Sequence, residues 1–200
     1  MTVPRHLTWL TLIYALLFVF SAVAPTSRSV WIAEIIPVVL ILAMIWCVSL
    51  YMPFSKTAYI LMFIWIALHT IGARYTFANV PFDWFNHMIG SSRNDFDRVA
   101  HFAIGLYAYP IAEFVIRRKL AHTWLARVFA LFAIMSLAAS YEIIEWWYAS
   151  LAGGEDGAAF LGSQGDIWDA QKDMLCDTLG AIAALILLSW QCGANSARFK

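Results

Sequence analysis

The sequence predicts an all-α fold, a polytopic bundle of six transmembrane helices with both termini in the cytoplasm. Three observations predict it. Apolar residues make up 62% of the 200 residues, and Asp, Glu, Lys and Arg together make up only 13%. A soluble domain has about 45–50% apolar and about 25% charged residues, so the apolar surplus of this chain needs lipid around it. The third observation is that the apolar residues form six long runs.

Each run approaches the length that a membrane-spanning helix requires. Crossing the hydrocarbon core takes about 20 apolar residues, because each residue adds about 1.5 Å of helix. The six spans are expected near residues 7–24, 30–52, 57–73, 99–116, 127–149 and 170–191. Residues 1–200 therefore form a single integral membrane domain.

The polar residues of these spans lie at a common depth. The first run carries no charge, the second carries only Glu34, and the third ends in His69 and Arg74. The fourth begins and the fifth ends among acidic residues or histidine, and the sixth begins with an acidic series. The residues concerned are Asp95, Asp97, Arg98, His101, Glu142, Glu145, Asp166, Asp169, Asp173 and Asp177. Glu113 is the exception, and Arg117, four residues later, is its expected partner.

The distribution of Lys and Arg gives the orientation. Arg117, Arg118, Lys119 and Arg127 fall in one short loop, which the positive-inside rule places in the cytoplasm. Arg198 and Lys200 add to the same side. The acidic layer then lies at the outer, non-cytoplasmic side of the membrane.

Residues 5–24 also fit a cleavable signal peptide, with Arg5, an apolar run and Ala22-Val23-Ala24. Pro25 would follow the cut and is a poor residue for the peptidase, so we expect an uncleaved first helix.

The equal numbers of basic and acidic residues, 13 of each, do not favour nucleic-acid binding. Three cysteines without metal-type spacing predict no disulfide framework.

Asp97 and His101 are four residues apart, so both side chains point from one face of a helix and can share a cation. The alternative is that Asp95 and Asp97 only cap the start of the helix, where negative charge is favourable. The sequence leaves both interpretations open.

The sixth span begins with an acidic stripe. Asp166, Asp169, Asp173 and Asp177 are spaced by three, four and four residues, which places them on one helix face. Asp166 and Asp169 fit a helix cap and its first turn, but Asp173 and Asp177 lie too far into the helix for capping. Gly180 and Ala184, which follow, are small residues at the spacing of a helix-packing contact.

Glu142 and Glu145 lie near the C-terminal end of the fifth span, where the helix dipole disfavours carboxylates. They need protons, basic partners or a metal. Arg74, Arg98 and Lys172 are the basic residues expected at that depth.

These residues together predict a hard metal site or an acid–base site. Carboxylates with imidazole suit Mg, Mn, Fe or Zn. We expect Asp97, His101, Glu142 and Glu145 to act as catalytic groups. The predicted metal ligands are Asp97, His101, Glu142, Glu145, Asp169, Asp173 and Asp177. Arg74, Arg98 and His69 are predicted to bind the substrate, with the arginines on an anionic head group.

Two outer loops, 79–98 and 150–168, frame this layer. The second is rich in glycine and is expected to be mobile, either as a lid over the site or as an ordinary connector.

Three runs carry a family resemblance: Phe96–Phe102, Tyr141–Trp147 and Gly162–Met174 with Asp177. Together they resemble the YjdF family of bacterial inner-membrane proteins over nearly the whole chain, which implies a multi-pass inner-membrane protein. More loosely, the order of acid and His, then Glu, then an Asp series is similar to VanZ-like proteins. Those tend to carry Glu-x-x-Gln where this chain has Glu142-x-x-Glu145.

The function hypothesis is a metal-assisted hydrolase or transferase that acts on a lipid or lipid-linked head group at the periplasmic face, with membrane lipids as its partners. One alternative is a small-solute or proton-coupled transporter, although such carriers usually bind near the midplane. The other is a non-enzymatic assembly protein whose carboxylates only hold the helices together.

Overall fold

The computed structural model describes residues 4–194, and within that range it contains helices and no strands. The helices are α1 (Arg5–Ala22), α2 (Arg28–Tyr51), α3 (Lys56–Tyr75), α4 (Asp83–Ile89), α5 (Phe96–Gly105), α6 (Ala108–Arg117), α7 (Thr123–Ala152), α8 (Gly154–Leu161) and α9 (Asp169–Ala194). Six candidate spans result, formed by α1, α2, α3, α5 with α6, α7 and α9. The predicted all-α bundle of six spans is confirmed.

The fourth span differs from the continuous helix predicted over 99–116. It divides into α5 and α6 around Leu106 and Tyr107. Proline has no N–H to donate to the carbonyl four residues earlier, so Pro110 leaves the Leu106 carbonyl without that helical bond. The Leu106 carbonyl instead accepts from the backbone of Tyr109 at 3.1 Å, which tightens this turn.

The core lies around α3 and the α5–α6 span. In the most apolar 18-residue stretch of each span, 50% of the residues are buried in α3 and 67% in the α5–α6 span. The share is 28% or less in each of the other spans. Fully buried alanines on α6 and α9 let these helices approach closely: Ala108, Ala112, Ala181 and Ala184. The packing role predicted for Gly180 and Ala184 is confirmed, since Gly180 lies against the backbone of α5 at Phe102 and Gly105.

The chain reversals place the predicted polar layer at one end of the bundle. The C-terminal ends of α1, α3 and α7 lie there with the N-terminal ends of α2, α5 and α9, and we call this the acidic end. At the opposite end Glu113 pairs with Arg117 at 2.8 Å, as expected, and also accepts from the backbone and hydroxyl of Ser55. The cytoplasmic location of the termini stays a prediction, and Arg198 and Lys200 lie outside the described residues.

The two outer loops contain helices that the sequence analysis did not predict. Helix α4 lies within 79–98 and α8 within 150–168. Glu155 and Asp156 in the first turn of α8 are favourable for the helix dipole, and Gly162 with φ +64° ends the helix. The ring of Phe160 packs 4.0 Å from that of Tyr148 on α7. Residues 150–168 are therefore more regular than the glycine content suggested.

Asp156 fastens α8 to the start of α2. The hydroxyls of Ser27 and Ser29 donate to its carboxylate at 2.9 Å and 2.5 Å, and they hold the pKa of Asp156 below its ordinary value near 3.8. A lowered pKa means that the contact is complete at neutral pH and is lost as the pH falls through that lowered value. The exposed position of Asp156 keeps this effect local to α8.

We expect Asp156→Asn to release α8 at pH 7. Hydrogen exchange of the amides of Gly154–Leu161 should be faster in the variant than in wild type when both are measured at pH 7. Glu155→Gln removes a similar helix-dipole contribution but no contact with Ser27 or Ser29, so it should raise the exchange less than Asp156→Asn does. Equal protection of α8 in Asp156→Asn and wild type at pH 7 would contradict this role.

Candidate functional site

The crossing of α5 and α9 brings the predicted acidic residues to His101. Gly105 and Gly180 face each other where the helices cross, and without Cβ atoms they allow backbone-to-backbone contact. Asp97 and His101 lie one helical turn apart on α5, and Asp173 and Asp177 lie one turn apart on α9. Residues from distant parts of the sequence thus share one buried space.

The four residues Asp97, His101, Asp173 and Asp177 form what we call the His101 cluster. Nε2 of His101 lies 3.6 Å from Asp97 Oδ1 and 3.9 Å from Asp173 Oδ1. Its Nδ1 lies 3.3 Å from both carboxylate oxygens of Asp177. One ligand atom each from Asp97, His101 and Asp173 lie within 4.8 Å of one another. All four residues are buried.

Asp169 belongs to an ion-pair network beside the cluster. Its Oδ1 accepts from Arg98 at 2.6 Å and from Arg93 at 2.7 Å. Arg98 also pairs with Asp173 and lies 3.3 Å from Asp166. The predicted metal ligand Asp169 and the predicted head-group ligand Arg98 are thus bound to each other. The sequence analysis missed Arg93. This residue lies in the loop before α5, where hydropathy does not indicate its depth in the membrane.

Asp166 lies at the solvent side of this network. The ammonium of Lys172 donates to its Oδ2 at 2.6 Å and the backbone N–H of Trp168 donates to its Oδ1 at 3.0 Å. These two bonds hold the pKa of Asp166 below its usual range. Asp166 therefore orders the turn before α9, close to the capping role that the sequence indicated.

His69 belongs to a second buried group, which we call the Glu34 triad: Glu34, His69 and Tyr141. His69 Nε2 lies 2.9 Å from Glu34 Oε2, and the Tyr141 hydroxyl donates to the same oxygen at 2.8 Å. The imidazole also packs 4.7 Å from the ring of Trp65. Glu34 and Tyr141 were not among the predicted site residues, although Glu34 is the only charged residue predicted within the second span.

Glu145 is buried, with 8% of its surface exposed, and its side chain lines a cavity. Within residues 4–194 it has no hydrogen bond or ion pair. Oε1 of Glu142, one turn earlier on α7, is also buried without a hydrogen-bond partner there. The basic partners expected for these two glutamates are instead paired elsewhere.

Arg74 binds the backbone at the end of α1. Its Nη1 donates to the backbone carbonyls of Phe20 and Val23, and its guanidinium packs 4.2 Å from the Phe20 ring. This arrangement fixes the α1–α2 connection to α3. A head-group role for Arg74 stays a prediction.

A cavity of about 210 Å³ joins the His101 cluster to the Glu34 triad and Glu145. Its polar lining comprises His69, Asp97, His101, Tyr141, Glu145 and Asp177. The rest of the wall is apolar, with Pro37 and Ile41 from α2 and Leu137 and Ile144 from α7. Leu137 and Ile144 are 47% and 50% exposed on the outer surface of the bundle. Since Leu137 and Ile144 belong both to the cavity wall and to the outer surface, we infer that the cavity opens sideways, between α2 and α7.

Comparison with known proteins gives two matches. The family model described as "Predicted membrane protein (DUF2238)" matches residues 6–193. The inner membrane protein YjdF of Escherichia coli (strain K12) is 32% identical over 189 residues, which cover 93% of this chain and 90% of that protein. No solved structure matches.

Proposed function

Because the chain belongs to the DUF2238 family of predicted membrane proteins, we propose its activity from the chemistry of its own cavity. It is a multi-pass inner-membrane protein, like the relative from Escherichia coli, and the resemblance to the YjdF family is confirmed. The similarity to VanZ-like proteins stays a prediction. The function that the cavity supports best is metal-assisted hydrolysis or transfer at a lipid or lipid-linked head group.

The observation that carries the proposal is the orientation of His101. Asp177 on Nδ1 fixes the ring so that Nε2 faces Asp97 and Asp173. A carboxylate on the distal nitrogen of a ligating histidine is the usual second layer of a metal site. We therefore assign Asp97, His101 and Asp173 as ligands and Asp177 as the residue that positions His101.

Charge supports a cation at this position. The His101 cluster and the nearby Glu142 and Glu145 bring five carboxyl groups together, and among residues 4–194 the arginine that pairs with one of them is Arg98, through Asp173. Buried carboxylates without compensation are costly. The oxygen-rich ligand set suits Mg, Mn, Fe or Zn.

Glu145 is the proposed general base and acid. A divalent ion on the cluster would polarise a phosphoryl or ester oxygen of the substrate. Glu145 takes a proton from the attacking water as the new bond from oxygen to phosphorus or carbon forms. It returns that proton to the leaving oxygen when the ester bond breaks, so the charge is balanced. In a transferase an acceptor hydroxyl takes the place of water.

The sideways opening supports a substrate from the membrane. A head group that enters between α2 and α7 reaches the polar end of the cavity while its hydrocarbon stays against Leu137 and the lipid. The positive-inside rule assigns this end to the periplasm.

One observation favours the non-enzymatic alternative. Arg98 binds Asp169 and Asp173 from the neighbouring helix, as expected of carboxylates that only hold helices together. That explanation does not extend to Glu145, which is buried in the cavity wall without a basic partner in the part of the chain described here.

Metal analysis of the purified protein tests the proposal. We expect wild type to retain a divalent ion after dialysis, and His101→Gln to lose it. Asp177→Asn should weaken the affinity by about 10–100-fold, the usual effect of losing the residue that orients a ligand. His87→Gln, at an exposed histidine on α4, is the matched control. Metal binding by His101→Gln with wild-type affinity would refute the assignment.

A further inference from the structure

A second cavity lies below the first, towards the end of the bundle opposite the acidic end. It has a volume of about 600 Å³, and its wall is apolar. The hydroxyl of Tyr107, the one polar side-chain group in that wall, donates to the backbone carbonyl of Met62 at 3.1 Å. A space of this size and polarity is filled by hydrocarbon in a membrane.

The two cavities are separate, and their linings follow each other along the same elements, so a chain that occupies both has to pass from one to the other. Both are lined by α2, α3, the α5–α6 span and α7. On each of these elements, a residue that lines one cavity lies within about one or two helical turns of a residue that lines the other. The successive residues are Ile41 and Ile45 on α2, Trp65 and Met62 on α3, Ile104 and Tyr107 along the fourth span, and Ile134 and Phe129 on α7. We call the two cavities together the α2–α7 groove.

The groove is as long as the membrane is thick. On α7 its wall extends from Leu125 to Glu145, about 20 residues or about 30 Å of helix. The hydrocarbon core of a bilayer is also about 30 Å thick. An acyl chain of a glycerophospholipid reaches across one leaflet only and would leave half of this groove to other molecules.

We infer that the substrate is a lipid with one hydrocarbon chain longer than a leaflet, of the polyisoprenyl class. Its phosphorylated head group lies on the His101 cluster, and its hydrocarbon chain lies along the α2–α7 groove. The placement of the head group rests on the proposed function. The polar lining at one end and the apolar lining of the remainder match such an amphiphile.

Selectivity for this chain comes from packing. Lipid tails are as apolar as the groove wall, so transfer from the bilayer to the groove gains little from the hydrophobic effect. Close contact along the whole chain supplies the binding energy instead. Met44 and Met62 add flexible side chains that adjust to an irregular hydrocarbon.

Binding of three lipids with the same phosphate monoester head tests the inference. Undecaprenyl phosphate, farnesyl phosphate and dioleoyl phosphatidate are titrated against the full-length protein in detergent with Mg²⁺ or Mn²⁺, and binding is read by native mass spectrometry. We expect undecaprenyl phosphate to bind at least about tenfold more tightly than the other two, which is about 1.4 kcal/mol.

Variants test the contribution of the hydrocarbon chain to binding separately from that of the head group. Ala121→Trp places an indole in part of the lower cavity, so it should weaken the binding of undecaprenyl phosphate and leave that of farnesyl phosphate unchanged. Ser136→Trp adds the same side chain to an exposed position of α7 outside both cavities and should change neither. His101→Gln should weaken all three lipids by a similar factor.

The outcomes distinguish this inference from the proposed function. Equal binding of undecaprenyl and farnesyl phosphate, or tighter binding of dioleoyl phosphatidate, overturns the polyisoprenyl assignment. Lipid affinities that are unchanged in His101→Gln and without metal, with the chain-length selectivity intact, support the groove and instead refute the proposed metal chemistry at the head.

Discussion

Replacing Gly180 by alanine is expected to separate α5 from α9 and to weaken the proposed metal site. A Cβ atom at Gly180 would lie 2.0 Å from the carbonyl oxygen of Phe102, which is a backbone atom that no rotamer change can move. Overpacking of this kind costs about 1–3 kcal/mol and occasionally more. The His101 cluster spans these two helices, so their displacement should also reduce metal affinity more than tenfold.

Thermal unfolding in detergent and metal analysis measure both effects. A loss of that size lowers the Tm by roughly 2–4 °C per kcal/mol for a chain of this length. Gly105→Ala should behave in the same way, because its Cβ would lie 2.2 Å from the carbonyl oxygen of Asp177. Gly90→Ala is the control, since its Cβ would meet no atom within 4 Å and the cost is limited to backbone strain at φ +70°. Wild-type stability of Gly180→Ala would show that the helices do not cross as described.

Replacing Arg98 by methionine is expected to destabilise the acidic end strongly. Arg98 binds Asp169 and Asp173 and lies near Asp166, and its side chain is 12% exposed. Removing one partner of a buried ion pair costs about 3–5 kcal/mol, because the other charges stay buried without compensation. The remaining carboxylates also repel one another.

Lys172→Met provides the matched comparison. Lys172 pairs with Asp166 at 2.6 Å, but its side chain is 52% exposed. An exposed pair contributes about 0–1 kcal/mol, so this variant should unfold within a few degrees of wild type. The double variant Arg98→Met with Asp173→Asn should recover part of the loss, because one uncompensated charge is removed. Equal Tm values for Arg98→Met and Lys172→Met would mean that the network contributes no stability.

Much of the fold was predictable because a membrane imposes simple requirements. Helix length and hydropathy located all six spans; their ends moved by a few residues, and the fourth divides around Leu106. The small-residue spacing at Gly180 predicted a close contact, and Glu113 predicted its partner Arg117. Each of these depends on residues that are near in sequence or on the uniform thickness of the bilayer.

The partners across the bundle were not predictable in the same way. Depth places Asp169, Asp173 and Arg98 in one layer, but only the rotation of α9 against α5 decides which carboxylate meets the arginine. Glu34 and Tyr141 lie 107 residues apart in sequence and meet through packing that no local pattern encodes. The break at Leu106 was within reach, because Pro110 marks it.

Helix α8 has a kinetic consequence. It is tied to α2 through Asp156 and packs on α7 through Phe160, and so it bridges the two walls of the cavity at the acidic end. Within residues 4–194, no such bridge lies on the side between Leu137 and the bilayer. A substrate of the proposed kind would then arrive by diffusion in two dimensions, and its effective concentration would be a mole fraction among the surrounding lipids rather than an amount per litre of water.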